Sequence, residues 1–471
     1  MDSYLIPSAL GALLSSFAGC FTAPGYRRFL ALTAGWVLVV GRHTVSRVLR
    51  VLRVTGYPAH HSTLYRFLSV GRWSIDALGE VVFRQSLRWL ETSVVAAVDD
   101  TLCHKCGTQI FGVGVHHDAA RSSYNRRGKR ITVFGFGHSW VVLSVCVPCP
   151  WNRMRGWALP VLFRLYRQRR RCPPAQYRTR TDLAAEMIRL LASWLPEDRR
   201  LVVTGDRVYM SKPVIRALPA RTALVGPLPM NAALHELPQK SRGVGRPRRK
   251  GYRIASPETI AAYHTDWQEI TVPLAQQEVD LKVWTQICQW YNPVGPKPVR
   301  AVVTRDPKNR MEARAYASTD PDLSASDLLT LVARRWQIEV TFRDLKQELG
   351  FEDPQNGWWR RPKGKRADTR SAMLRRAPRR GENAVRRTAP LAGLIYSIVA
   401  LWFLRDGMRL FDLDRLRGYA PWYLAKTEPS FQDMLRALRA SVITTALRRT
   451  RPADRIRKIE DFLLAPVGVA A

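Results

Sequence analysis

Acidic residues are scarce. Only 38 Asp and Glu stand against 75 Lys and Arg in 471 residues, for a formal net charge of +37 and a pI near 10.9. Such a chain attracts polyanions, because cations placed along phosphates release condensed counterions. Nucleic acid is the leading partner on this ground, with an anionic membrane surface as the alternative. Cysteine is scarce too: seven in all, an odd number that argues against a disulfide scaffold and suits a reducing cytoplasm. Long hydrophobic runs are missing. The longest late one, Ala389 to Leu404, has about 16 residues, short of the ~20 that span a bilayer comfortably. Residues 3–26 lack charge but contain Pro7, Gly11 and Pro24, and they follow an acidic Met1-Asp2 start instead of the basic region of a secretion signal. Both runs are expected to be buried helices, with no membrane partner. No glycine-rich phosphate loop precedes a helix, so an ATP-driven mechanism is not indicated.

With 46% hydrophobic and 24% charged residues, the chain can bury a sizeable core, and its length predicts several structural units. Residues 1–90 read as helical, with ten arginines, no lysine and three acids, Asp2, Asp76 and Glu80. Within them a helix, a turn at Gly56-Tyr57-Pro58 and a second helix from Ser62 or Thr63 have helix-turn-helix spacing, also common in plain helical hairpins. From residue 93 the period shortens. SVVAAVDD and residues 131–147 are β-branched and aromatic runs, and RLVVTGDRVY is a further strand ending in an aspartate. Between them Leu183, Met187, Leu190, Leu191 and Trp194 share one helix face, with Thr181 or Asp182 to cap it. Residues 91–215 therefore predict the first part of an α/β core. The segment 216–310 reads as a β-rich insertion. The core resumes over 311–405 with a long helix near 326–349 and a basic stretch, and 406–471 forms a helical C-terminal region.

Three acidic positions stand out: Asp99 or Asp100, Asp206, and Glu339. The first two lie at strand ends, where a rigid sheet can aim a short carboxylate, and the third lies on a helix. Carboxylates converging from separate elements can hold two hard cations roughly 4 Å apart for in-line phosphoryl displacement. Strand-end acids are more often merely solvated turn residues, so position alone does not decide. On the helix, Arg335, Glu339, Phe342 and Lys346 fall on one narrow face at about 100° per residue. That face suits a salt-bridged surface stripe as well as a metal-binding carboxylate flanked by phosphate contacts.

The spacing Arg335, three residues, Glu339, six residues, Lys346 resembles the tyrosine-arginine-glutamate-lysine signature of bacterial insertion-sequence transposases of the DDE type. VDDTLCHKCG, with Asp99, Thr101, Lys105 and Gly107, resembles the same group's first strand-end block, and TGDRVY its second. The three blocks occur in order between about residues 93 and 405. The resemblance implies an α/β, RNase H-like catalytic core with a β-rich insertion, flanked by helical N- and C-terminal regions. It implies that Asp99, Asp206 and Glu339 bind Mg2+, with Mn2+ as a substitute, and that Arg335, Lys346 and Lys105 contact DNA. Asp99 is preferred over Asp100 because the group's pattern is aspartate, any residue, threonine; neighbouring strand residues also point to opposite faces. The signature tyrosine falls at Val332, which has no side-chain hydrogen-bonding group. The expected activity is cleavage of the terminal inverted repeats of a mobile element and transfer of its 3′-hydroxyls to target DNA, by a homodimer in the cytoplasm. A metal-dependent nuclease on the same fold and an inactive DNA-binding descendant are the alternatives.

Further basic segments are candidates for DNA contact. Arg246, Arg248, Arg249 and Lys250 lie in a Gly-Arg-Pro sequence resembling a minor-groove hook. The runs 167–171 and 360–387 are the other candidates. If excision passes through a hairpin, as in related transposases with a β insertion, Trp267, Trp284 and Trp290 are candidates to stack an unpaired base. The pairs Cys103/Cys106 and Cys146/Cys149 have zinc-ligand spacing but are expected to be independent thiols. His116-His117-Asp118 is expected to be structural.

Overall fold

A computed structural model describes residues 6–57, 60–124, 129–239, 248–274, 277–356, 377–410 and 426–460, with a few positions between 410 and 426. Five helices come first: α1 (Ser8–Leu14), α2 (Ala23–Leu38), α3 (Val45–Val54), α4 (Ser62–Val70) and α5 (Ile75–Ser86). The strands β1 (Ser93–His104), β2 (Gly114–His117), β3 (Ser123–Tyr124), β4 (Arg130–Ile131), β5 (Phe134–Cys149) and β6 (Asn152–Tyr166) follow. Then come α6 (Arg180–Ser193), β7 (Arg200–Gly205), α7 (Lys212–Arg216), β8 (Thr222–Leu228) and α8 (Pro257–Tyr263). After β9 (Gln268–Leu274) and β10 (Gln277–Cys288) lie α9 (Tyr291–Val294), β11 (Val299–Arg305) and β12 (Arg314–Ser318). The helices α10 (Ala325–Arg334), α11 (Trp336–Glu348), α12 (Ala377–Arg405) and α13 (Phe431–Arg448) follow.

Ten strands form one mixed sheet. Its core runs β6-β5-β1-β7-β8: β5 and β6 are antiparallel neighbours, β1 is antiparallel to β5, and β7 and β8 run parallel to β1. This is the RNase H-like arrangement, with helical regions at both ends of the chain. In β1, residues 94–98 are all buried, and in β7 residues 201–205 are. Successive strand residues alternate faces, so both faces of the sheet centre are covered. The helices α5, α11 and α12 pack on β6, and α6 packs on β5 and β6. At Gly79 the approach of α5 is so close that a Cβ would lie 1.9 Å from the Val161 carbonyl oxygen.

Several elements differ from their sequence reading. The segment 216–310 supplies β8 to the core sheet through parallel pairing with β7, and β12, β11, β10 and β9 then extend that sheet from the β8 edge. The N-terminal helices are stitched to the core: α4 and α5 pack on α12, and Arg387 of α12 donates to the carbonyls of Leu68 and Trp73. The cap of α6 is Thr179, two residues earlier than Thr181, in a reciprocal box with Asp182. The helix expected near 326–349 is interrupted at Arg335, whose amide is shared between the carbonyls of Leu331 and Val332. One described helix, within Gly381–Arg405, is long and apolar enough to cross a membrane, but 89% of its apolar window is buried inside the protein. It is a core helix here.

Candidate active site

The register of β1 and β7 brings the first two acids together. Val98 pairs with Gly205 across the parallel strands, so Asp99, in the middle of β1 and not at its end as expected, sits beside Asp206, which directly follows β7. Gly205 is needed for this closeness, since a Cβ there would lie 2.9 Å from the Cβ of Tyr209 and 3.3 Å from Val98. Beyond β7 the chain turns back on Asp206, whose Oδ1 accepts from the amides of Val208 and Tyr209 at 2.8 and 3.2 Å. That turn holds the carboxylate in place without a side-chain partner from another element.

Asp99 and Asp100 face different partners. The Oδ2 of Asp99 is 2.9 Å from Nη1 of Arg335, and Nη2 of the same guanidinium is 2.9 Å from Oε1 of Glu339. Asp100 instead meets Arg180 at 3.2 Å and accepts from the Tyr209 hydroxyl at 3.1 Å. Burial pushes the Asp99 carboxyl up to about 7, an effect that Arg335 opposes and the charge of Asp206 reinforces. Asp100 is also raised by burial, against the pull of Arg180. These acids therefore form a partly buried cluster of carboxyl groups at the sheet centre, where burial and their mutual repulsion oppose ionisation. Arg180 and Tyr209 went unrecognised in the sequence. Tyr209 lies inside the TGDRVY block and was within reach of a motif reading, whereas Arg180 is one arginine among many.

On α11 the predicted face lies along β1 and β6. Phe342 is buried, Glu339 is half-exposed, and Lys346 donates to the Leu102 carbonyl at 2.8 Å and pairs with Glu352 at 2.9 Å. Val332 packs half-buried against the core. Lys105 departs from its expected role as a DNA contact. Its residue is 6% exposed, and its ammonium donates to the carbonyls of Glu352 and Pro354 at 2.6 and 3.0 Å. It points inward and ties the loop after α11 to the end of β1.

The basic loop falls on the surface. Arg248, Arg249 and Lys250 are exposed, with Arg248 over the Tyr252 ring and Lys250 4.5 Å from the Tyr291 ring centre. Arg246 lies outside the described residues, as do residues 357–376. In the run 167–171, Arg167 stacks on Phe111 and Arg171 donates to the Val113 carbonyl, while Arg169 and Arg170 are exposed. Helix α4 buries Leu64, Phe67 and Leu68 and presents Tyr65 and Arg66 to solvent. Trp290 is buried, and Trp267 and Trp284 pack partly buried against the core. The seven cysteines are free thiols, and among the described residues no three His, Cys, Asp or Glu side chains are grouped to hold a metal ion.

A divalent ion fits the donor set chemically. Asp99, Asp206 and Glu339 offer only carboxylate oxygens, the ligands hard cations prefer. The space between Asp99 and Glu339 is already cation-binding, since a guanidinium bridges them.

The family model described as DDE superfamily endonuclease matches residues 16–287, more than half of the 471-residue chain. The chain belongs to that family. The match includes Asp99 and Asp206 and stops short of Glu339. Among solved structures, a piggyBac transposase synaptic complex with hairpin DNA aligns with a TM-score of 0.33 and 11% identity. The alignment covers 79% of this chain and 57% of that one, so the chain spans little more than half of that protein's length. No curated protein matches.

Proposed function

We propose that the protein is a DNA transposase, cutting the ends of a mobile element and joining the freed 3′-hydroxyls to target DNA by metal-dependent phosphoryl transfer. The observation that carries this reading is the meeting of Asp99 and Glu339 on one guanidinium beside Asp206. Membership of the DDE superfamily endonucleases supports it. Asp99, Asp206 and Glu339 would hold Mg2+, or Mn2+ in its place. Bound there, such ions would supply Lewis-acid activation of a water or 3′-hydroxyl and charge neutralisation at the leaving oxygen, so no histidine base would be required. The chain's own contribution is positional. The Val208 and Tyr209 amides orient Asp206, the Asp100 amide donates to Asp99 at 2.8 Å, and α11 carries Glu339 up to the sheet. DNA would be gathered by the exposed basic loop at 248–250 and by the outward face of α4. Since two element ends must be joined, we also propose two copies in the active complex.

The test is a cleavage and strand-transfer assay on labelled duplexes carrying the DNA that flanks the coding region. Wild type is expected to cut and to join its ends to a second DNA molecule. Glu339→Ala is expected to abolish both while leaving end binding near wild type, because a carboxylate contributes little attraction to a polyanion. Cutting without joining would make the protein a nuclease. Binding without cutting by wild type would make it an inactive descendant, consistent with valine at 332.

A further inference from the structure

Arg335 occupies the position of a charge-balancing ion. Its two Nη atoms each lie 2.9 Å from a carboxylate oxygen, one on β1 and one on α11, and its side chain is only 20% exposed. A surface i,i+4 pair with Glu339 alone would be an ordinary helix contact of little consequence. The second arm makes it different: it reaches Asp99, 236 residues away in the chain, inside a buried group of acids that repel one another. A guanidinium forks onto phosphate as readily as onto carboxylate. Arg335 therefore has two competing anionic partners, the acids of its own site and any phosphodiester that arrives there.

We propose that Arg335 is a resident counter-ion that makes metal loading depend on DNA. In the free protein its guanidinium bridges Asp99 and Glu339 and competes with a divalent cation for both. When a DNA phosphate takes the guanidinium, the two carboxylates are released to the cation. DNA and metal then each strengthen the binding of the other, as linkage requires, and the free protein is held in a poorly loaded state. The inference rests on the reading of Asp99 and Glu339 as metal ligands.

Mn2+ titration followed by the electron paramagnetic resonance signal of the free ion tests it without reference to activity. Wild type, Arg335→Gln, Arg335→Lys and Glu339→Gln are compared with and without a short duplex. Binding by Glu339→Gln serves as the baseline for Mn2+ held elsewhere or on the DNA. Without DNA, Arg335→Gln is expected to bind Mn2+ about tenfold more tightly than wild type, within the usual range of coupling between sites. Arg335→Lys, whose ammonium reaches fewer oxygens, should fall between them and serves alone if the glutamine variant does not fold. The duplex should tighten binding by wild type and leave Arg335→Gln unchanged. Equal affinities without DNA, or equal tightening of both by the duplex, would overturn the proposal. If no protein binds Mn2+ above the Glu339→Gln baseline, the metal-site reading itself fails.

Discussion

Lys105→Met separates two roles for one residue, a DNA contact and an internal tie. In the structure the Lys105 ammonium is enclosed, and burial lowers its pKa against the opposing charges nearby. It donates to two backbone carbonyls, those of Glu352 and Pro354. Methionine keeps most of the volume and removes both bonds. Each of the two acceptors left without a partner costs about 1–3 kcal/mol, about 4 kcal/mol for the pair, and relief of the buried charge offsets part of that, leaving a net loss of about 3 kcal/mol. With an unfolding entropy of about 2.1 cal/mol/K per residue, a chain of 471 residues loses about 3 °C in melting temperature by calorimetry. A lysine on a phosphate would behave differently: its loss would leave stability alone and flatten the log–log salt dependence of DNA binding by about 0.9. Lys105→Met is therefore expected to melt earlier with an unchanged salt slope. Wild-type stability together with a slope shallower by about one would refute the argument.

Replacing Arg248, Arg249 and Lys250 together with glutamine should reduce the salt slope by up to about three, measured by binding to an end duplex between low and physiological salt. An unchanged slope would remove that loop from the interface. His43 predicts an acid weakness. Burial, followed by the charge of Arg439, lowers its pKa from 6.5 to about 4, against the opposing pull of the Gly41 and Trp36 backbone. Because the folded value is depressed, the unfolded chain holds the extra proton between those limits. The resulting stability is complete above pH 6.5 and is lost toward pH 4 at about 1.4 kcal/mol per pH unit. His43→Phe should melt like wild type at pH 7 and show a shallower loss on acidification. An identical pH profile would show that His43 does not titrate on unfolding.

Much of the frame was legible from local pattern. Strand β7, followed by an aspartate, and strand β1, which carries Asp99 and Asp100 at its middle, stand out through their β-branched runs, because side chains alternate across a covered sheet. The face of Arg335, Glu339, Phe342 and Lys346 follows from helical period alone, as does the core character of Ala389–Leu404 from its length. Composition carried the expectation of a polyanionic partner.

Other features depend on partners far away in the chain. Lys105 looks like a surface cation in its own block, and only the loop at Glu352–Pro354 turns it inward. Strand β8 reads as the start of an insertion, yet pairing with β7 makes it part of the core. The cap of α6 shifted because Thr179 and Asp182 satisfy one another's backbone amides, which periodicity does not register. Most consequential is Arg335. Helical spacing places it one turn from Glu339, but its hold on Asp99 exists only because α11 packs along β1. Local period determines which face a residue occupies; which charge it meets across that face is decided by packing between segments hundreds of residues apart.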